Sequence, residues 1–301
     1  MLQSVIRNPS QAVTGVSQAV ILRFKTSAAV ILFVLCVVQL SFGQNPAAAK
    51  PTPTPTPAKD EKKKKPAASS SKDILKNPTA EQVAESTIFI YGLGGGRAIL
   101  NQIRKTALER GKISLTNAQG KTDQATYQRW TQRAETLSKE KIRLDQEFPT
   151  ARYSLVFNDE KIFGIVDNSV FTPRADASQA FENQIVHGLE ALLRYKENES
   201  TIVLAGKEKV LGVEYHMLDV TDKQSRKTRF YISAKTFRVM MLDYEQNGVK
   251  YRRKFYDYNY AQGTLVPFRT ILWAGDTIVE ETDVGTVTFG QKIDETIFSA
   301  G

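Results

Sequence analysis

Val213-Glu214-Tyr215-His216-Met217-Leu218-Asp219-Val220, followed by Arg229 to Ala234 (RFYISA), Tyr251 to Tyr260 (YRRKFYDYNY) and Thr277 to Phe289 (TIVEETDVGTVTF), decides the fold of this chain. These runs are rich in Val, Ile, Thr, Tyr and Phe and are separated by turn residues, the pattern of one strand after another. Tyr153 to Phe157 reads the same way. Further strands are expected near Lys112–Asn117, Ala125–Glu135, Lys141–Phe148, Tyr153–Asn158 and Lys161–Asp167. A single helix, about Ala177–Tyr195, interrupts them, with Phe181, Ile185, Leu189 and Leu192 on one face behind an Asp176 cap. Residues 78–301 are enough for a single β-rich domain.

The domain opens with Pro78 and then Thr79-Ala80-Glu81-Gln82, a capping box that satisfies the first free N–H groups of a helix. Ala80, Val83, Ala84, Thr87 and Tyr91 share a face of that helix, and Gly92, Gly94, Gly95 and Gly96 end it. A second helix is expected from Arg97 to Arg110, with Ile99, Ile103 and Ala107 at four-residue spacing and Gly111 as its stop.

Upstream, Arg23 and Lys25 precede an apolar stretch, Ala28–Leu40, followed by Ser41 and Gly43. A membrane-spanning helix needs about 20 apolar residues, whereas a signal-peptide core runs roughly 7–15. Residues 1–43 therefore read as an export signal cleaved before Gln44, with an uncleaved inner-membrane anchor as the alternative. Cys36, the only cysteine, lies inside that segment, so a mature chain from Gln44 has no thiol chemistry. Residues 44–77 read as a disordered spacer: alternating Pro-Thr from Pro51 to Pro57, then Lys62 to Lys65, then Ser69 to Ser71. The lysine block Lys62, Lys63, Lys64 and Lys65 is a candidate contact for an anionic membrane surface.

The net charge of +9 is uneven along the chain. Residues 1–76 hold 11 Lys/Arg and 3 Asp/Glu, leaving 30 and 29 for residues 77–301, a net of +1. The domain lacks the basic excess of a nucleic-acid footprint, so no nucleic-acid partner is expected.

Catalytic signatures are sparse. Gly92-Leu93-Gly94-Gly95-Gly96-Arg97 has Arg97 where a dinucleotide fingerprint needs its third glycine, and no strand–helix alternation follows. His187 and His216 are the only histidines; His216 shares a strand face with Glu214, but neither has partners at metal-binding spacing. No Gly-x-Ser-x-Gly elbow occurs. Glu280 and Glu281 point to opposite faces of one strand, and Asp257 sits among tyrosines. Neither an enzyme, a metal site nor a cofactor is expected.

The more suggestive constellation is apolar. Tyr215 with Met217, Phe230 with Ile232, Tyr256 with Tyr258 and Tyr260, and Phe268 with Leu272 fall in period-two rows. Such rows either fill a core or, with Phe181 from the mid-chain helix, line an apolar pocket in which Met217, Met240 and Met241 supply a pliable wall.

The order of elements, with Thr79-Ala80-Glu81-Gln82-Val83, Gly94-Gly95-Gly96, Leu211 to Val220 and the closing Asp294-Glu295-Thr296-Ile297-Phe298, resembles the periplasmic lipoprotein-carrier superfamily typified by LolA, LolB and RseB. The resemblance covers residues 78–301 and is greatest to the outer-membrane lipoprotein-sorting branch. It implies an α+β fold, a strongly curved, unclosed antiparallel half-barrel with helices covering its concave face. It also implies a periplasmic, non-enzymatic binding or carrier protein for lipoprotein acyl chains or another apolar ligand. The alternative is a tethered envelope sensor or scaffold that binds a protein partner. Compact carriers lack the long spacer, and no single position here matches the arginine that holds their lid closed.

Overall fold

The computed structural model describes residues 77–117 and 119–299, so the expected export segment and nearly all of the expected spacer lie outside the described residues. Helix α1 spans Ala80–Tyr91 and α2 Gly96–Ile103. Strands β1 (Thr106–Thr116), β2 (Thr122–Gln132), β3 (Lys141–Glu147), β4 (Arg152–Asn158), β5 (Lys161–Val166) and β6 (Ser169–Phe171) follow. Helices α3 (Ala175–Val186) and α4 (Leu189–Leu193) come next. The chain ends with β7 (Thr201–Val210), β8 (Val213–Thr221), β9 (Lys227–Ser233), β10 (Val239–Gln246), β11 (Val249–Ala261), β12 (Thr264–Ala274) and β13 (Thr277–Phe289).

All thirteen strands belong to one antiparallel sheet in the order β6-β5-β4-β3-β2-β1-β13-β12-β11-β10-β9-β8-β7. The path explains this order. Six strands meander outward from the centre to one edge, α3 and α4 carry the chain to the opposite edge, and seven strands meander back until β13 pairs with β1. The edges β6 and β7 do not meet, so the fold is an unclosed half-barrel.

Helix α1 shows how far the sheet bends. It packs against β7, β8 and β12, and β7 and β12 are five strand spacings apart, about 24 Å along a flat sheet. A helix of this length is about 18 Å long and 10–12 Å wide, so the sheet must wrap around it. Register shifts at Arg110/Gly111, Leu204/Gly206, Val239/Met241 and Leu272/Trp273 supply bend and twist.

The expected capping box is present. Thr79 Oγ1 accepts from the Gln82 N–H at 3.2 Å, and Gln82 Oε1 accepts from the Thr79 N–H at 2.8 Å. Val83, Ala84, Thr87, Ile88 and Tyr91 of α1 are buried. Val83, Ala84, Ile88 and Tyr91 join Leu192 and Leu193 of α4 and Leu218, Phe230, Ile232, Leu242 and Leu265 of the sheet in the largest core cluster. Each buried Val, Leu, Ile or Phe among them contributes about 1.5–3 kcal/mol by leaving water. A second cluster forms under α3, where Phe181 and Ile185 pack on Ile113, Tyr127, Ile142, Leu144, Leu155 and Phe157.

Three sequence expectations change. The second helix stops at Ile103, because Ala107 to Arg110 are paired on both sides, by β2 and by β13. Two strand ladders outweigh the helix propensity of Ala107-Leu108-Glu109-Arg110. Gly111 is therefore a bulge in a central strand; a Cβ there would sit 2.1 Å from the Asp283 carbonyl oxygen. The expected helix Ala177–Tyr195 breaks at His187-Gly188 into α3 and α4. Asp176 lies inside the first turn of α3 and binds Arg174, the N-cap residue.

Candidate functional site

The concave face is closed over by α4 and the loops flanking it, held largely by arginine–carboxylate contacts. Glu190 of α4 accepts from Arg104 Nη1 at 2.6 Å and from Arg133 Nη2 at 2.5 Å. Arg104 is held in turn by Thr264 Oγ1 (2.9 Å) and the Leu265 carbonyl (2.7 Å), with its guanidinium over the rings of Tyr91 and Phe289. Burial pushes the Glu190 carboxyl up, but the charges and hydrogen bonds of Arg133 and Arg104 outweigh this and hold it below the usual carboxylate range. Just beyond α4, Arg194 pairs with buried Glu140 and donates to the Ala134 carbonyl at 2.5 Å. Arg97 ties α2 to Glu85 of α1 (2.8 Å) and to Glu197 (2.6 Å). The fasteners of the lid are thus Arg97, Arg104, Arg133 and Arg194.

Beneath the α3–α4 junction a cavity of about 220 Å³ lies against β1, β2, β3, β12 and β13. Its walls are apolar at Ile113, Ile142, Leu144, Ile185, Val266 and Phe289 and polar at Glu109, Arg129, Arg133, Arg253 and Glu280. Glu280 is buried and accepts from Arg253 (2.7 Å) and Gln184 (2.8 Å), while Gln184 also accepts from Arg129. Glu109 accepts from the Tyr127 hydroxyl at 2.7 Å. This cavity is smaller than the roughly 300–1,000 Å³ of a typical ligand pocket. Two other hollows are larger. One of about 420 Å³ includes Leu137, Phe157, Val186 and Val220, and a more open groove of about 600 Å³ runs between α3 and the ends of β9 and β10.

The nine residues expected to line one pocket are dispersed. Phe230, Ile232 and Leu272 are buried in the main core, and Phe181 is buried under α3. Tyr258 reaches inward, where its hydroxyl meets that of Tyr91 at 2.8 Å and donates to the Val239 carbonyl. Tyr256 is exposed, beneath the Arg269 guanidinium. Asp257, between them, has φ +52° and interrupts the strict alternation that groups the tyrosines in sequence. Tyr215 and Met217 belong to a separate cluster with Tyr231, Met240 and Met241. Phe268 is half-buried on β12. None of the nine lines the three hollows just described.

The tyrosine–methionine cluster borders a charge ladder: Asp219 pairs with Arg229 (2.7 Å) and Lys227 (2.6 Å), and Asp243 with Arg252 (2.7 Å). Burial raises the Asp219 and Asp243 carboxyls, but their basic partners bring both below the usual range.

Neither histidine is a surface residue. His187 stacks on Tyr244 with ring centroids 4.1 Å apart, and its Nδ1 lies 2.7 Å from Thr228 Oγ1. Burial first, then the nearby Arg226 charge, pushes it down to about 4. His216 is buried and stacks on Phe237, while Glu214 turns to Lys207 at 3.1 Å. Among the described residues no group of three or more His, Cys, Asp or Glu side chains is placed to hold a metal, and no helix is long and apolar enough to cross a membrane.

A search of family models finds no match, and neither does a search of curated proteins. Similarity to solved structures is extensive. A LolA superfamily protein from Nitrosomonas europaea superposes with a TM-score of 0.54 at 14% identity, covering 74% of this chain and 98% of that one. The chain has a LolA-like fold. A DUF1329 family protein from Desulfovibrio piger also gives 0.54, at 11% identity over 74% of this chain and 98% of that one. An outer-membrane lipoprotein-sorting protein domain from Vibrio parahaemolyticus gives 0.46 at 14% identity, over 73% and 97%.

Arg104, Arg133, Glu140, Glu190 and Arg194, which do most to close the concave face, have no local sequence signal. Each sits in an ordinary mixed stretch, and only the sheet's curvature brings them together. Arg194 has the nearest thing to a clue, following Leu192-Leu193 on a helix whose apolar face predicts burial.

Proposed function

We propose that this domain is a periplasmic, non-enzymatic binding or carrier protein that shelters an apolar chain, such as a lipoprotein acyl chain, in the concave face of its half-barrel. The observation that carries the reading is the chain path. The segment containing α3 and α4 is the only link between β6 and β7 and lies across the interior, so α4 can lift away without breaking any strand pairing. In the closed form Glu190 ties α4 to Arg104 and Arg133, which flank β1 and β2, while Leu192 and Leu193 pack into the main core. Lifting it removes those fasteners and exposes Leu189, Leu192 and Leu193 together with the apolar walls beneath. The small cavity then becomes a trough long enough for a chain.

The test is to purify the protein from its native host, extract it with organic solvent and identify co-purified lipids by mass spectrometry, alongside uptake of a fluorescent fatty acid. Bound lipid, or saturable uptake that rises in Glu190→Gln, supports the reading. Protein that is empty in every extract and takes up no probe, in wild type and in Glu190→Gln alike, overturns it and leaves the sensor or scaffold alternative.

A further inference from the structure

Of the twelve exposed large apolar side chains among the described residues, six gather at one end of the half-barrel: Phe89, Leu93, Ile99, Leu211, Val213 and Tyr260, all between 42% and 100% exposed. The strand register places them there. Tyr215 is opposite Ser233, Val239 opposite Ile232 and Met241 opposite Lys254, so the β7–β8, β9–β10 and β11–β12 turns share one rim. The α1–α2 turn joins the same rim, since Tyr91 meets Tyr258 near the end of β11 and Ile103 approaches Gly263 in the β11–β12 turn. On that turn Phe89 lies against Gly94, and Ile99 against Gly95. Leu211, wholly exposed at a hairpin tip, has no role in the core.

The surrounding charge indicates what covers the rim. Lys105, Lys209 and Lys235 are exposed there and make no ion pair among the described residues; beside them lie Glu208 and Asp257, with Glu214 paired to Lys207, while Glu135 (paired to Lys139), Asp159 and Glu160 lie at the same end on the β2–β3 and β4–β5 turns. Apolar groups flanked by ammonium groups suit a negatively charged bilayer, where shallow apolar insertion and attraction to lipid headgroups add.

We propose that this rim is a docking surface for an anionic lipid bilayer, entered by Phe89, Leu93, Ile99 and Leu211 and flanked by Lys105, Lys209 and Lys235. The surface is separate from the concave interior and does not depend on what the interior holds.

The test uses the full chain with vesicles of phosphatidylglycerol and phosphatidylcholine or of phosphatidylcholine alone, read by hydrogen–deuterium exchange. The expected result is protection of peptides covering residues 86–100 and 205–216 on the anionic vesicles, weakened by high salt. A Leu93→Glu/Leu211→Glu variant should bind about tenfold more weakly at this surface, with unchanged thermal unfolding because both side chains are exposed. The proposal is overturned if those peptides exchange equally with and without vesicles, or if only the Lys62–Lys65 region is protected. Protection that appears without lipid and grows with protein concentration also overturns it, in favour of a second copy as the occupant.

Discussion

Acid should weaken this domain through His187 before it weakens it through the carboxylates. His187 sits at the break between α3 and α4, stacked on Tyr244 and bonded to Thr228, and burial holds it down to about 4. In the unfolded chain the imidazole takes a proton near pH 6.5. Between those two values the unfolded state binds more protons than the folded state, so stability falls as pH falls. The loss relative to pH 7 is about 1 kcal/mol at pH 5.5 and about 2.5 kcal/mol at pH 4.5, and it levels off below the folded value. Asp219 and Asp243, whose folded values are depressed, add their losses only at more acid pH.

Urea unfolding followed by circular dichroism at pH 7, 5.5 and 4.5 measures this window. His187→Gln, which keeps a hydrogen-bonding partner for Thr228, should flatten the curve between pH 7 and 4.5. His216→Gln measures the separate contribution of the other buried histidine, whose value burial also lowers. Wild type and His187→Gln losing stability in parallel, or an NMR titration placing His187 near pH 6.5, would refute the reasoning. On the proposed function, in which α4 lifts about the break at His187, the same protonation should also raise the rate of fatty-acid uptake.

Glu190→Gln leaves Arg104 and Arg133 without their shared carboxylate and should cost roughly 1–3 kcal/mol, below the full penalty of a buried pair because Glu190 is partly exposed; urea midpoints test this. Gly111→Ala forces a methyl group against the Asp283 carbonyl in the central β1–β13 pair and should cost about 1–3 kcal/mol or more, read from thermal melts. Thr79→Ala removes the α1 cap and should cost about 0.5–2 kcal/mol, with exchange protection lost first in α1.

Two glycine readings show where local pattern succeeds. Gly92 to Gly96 end one helix and begin the next, as their flexibility requires: Leu93 and Gly94 both take positive φ, and a Cβ on Gly92 would meet the Gly96 carbonyl at 2.8 Å. Gly111 looks the same in sequence, a glycine after a helical pattern, yet it marks a close crossing of two strands far apart in the chain. The tyrosine row of β11 fails for a related reason, whereas Phe230 with Ile232 and Tyr215 with Met217 keep a shared face. Period two assigns faces only while the backbone stays regular, and Asp257 breaks it between Tyr256 and Tyr258.

The sequence by itself determined the strand succession, the capped first helix, the mid-chain helical insertion and the scarcity of catalytic groups, because each follows from side-chain periodicity or composition within a few neighbouring residues. Tertiary structure alone decided where the second helix ends, which tyrosines face inward, and which arginines close the lid. Those outcomes depend on pairing between β1 and β13, from opposite ends of the domain, and on a bend that brings Arg104, Arg133 and Glu190 to one point. No window of neighbouring residues contains that information.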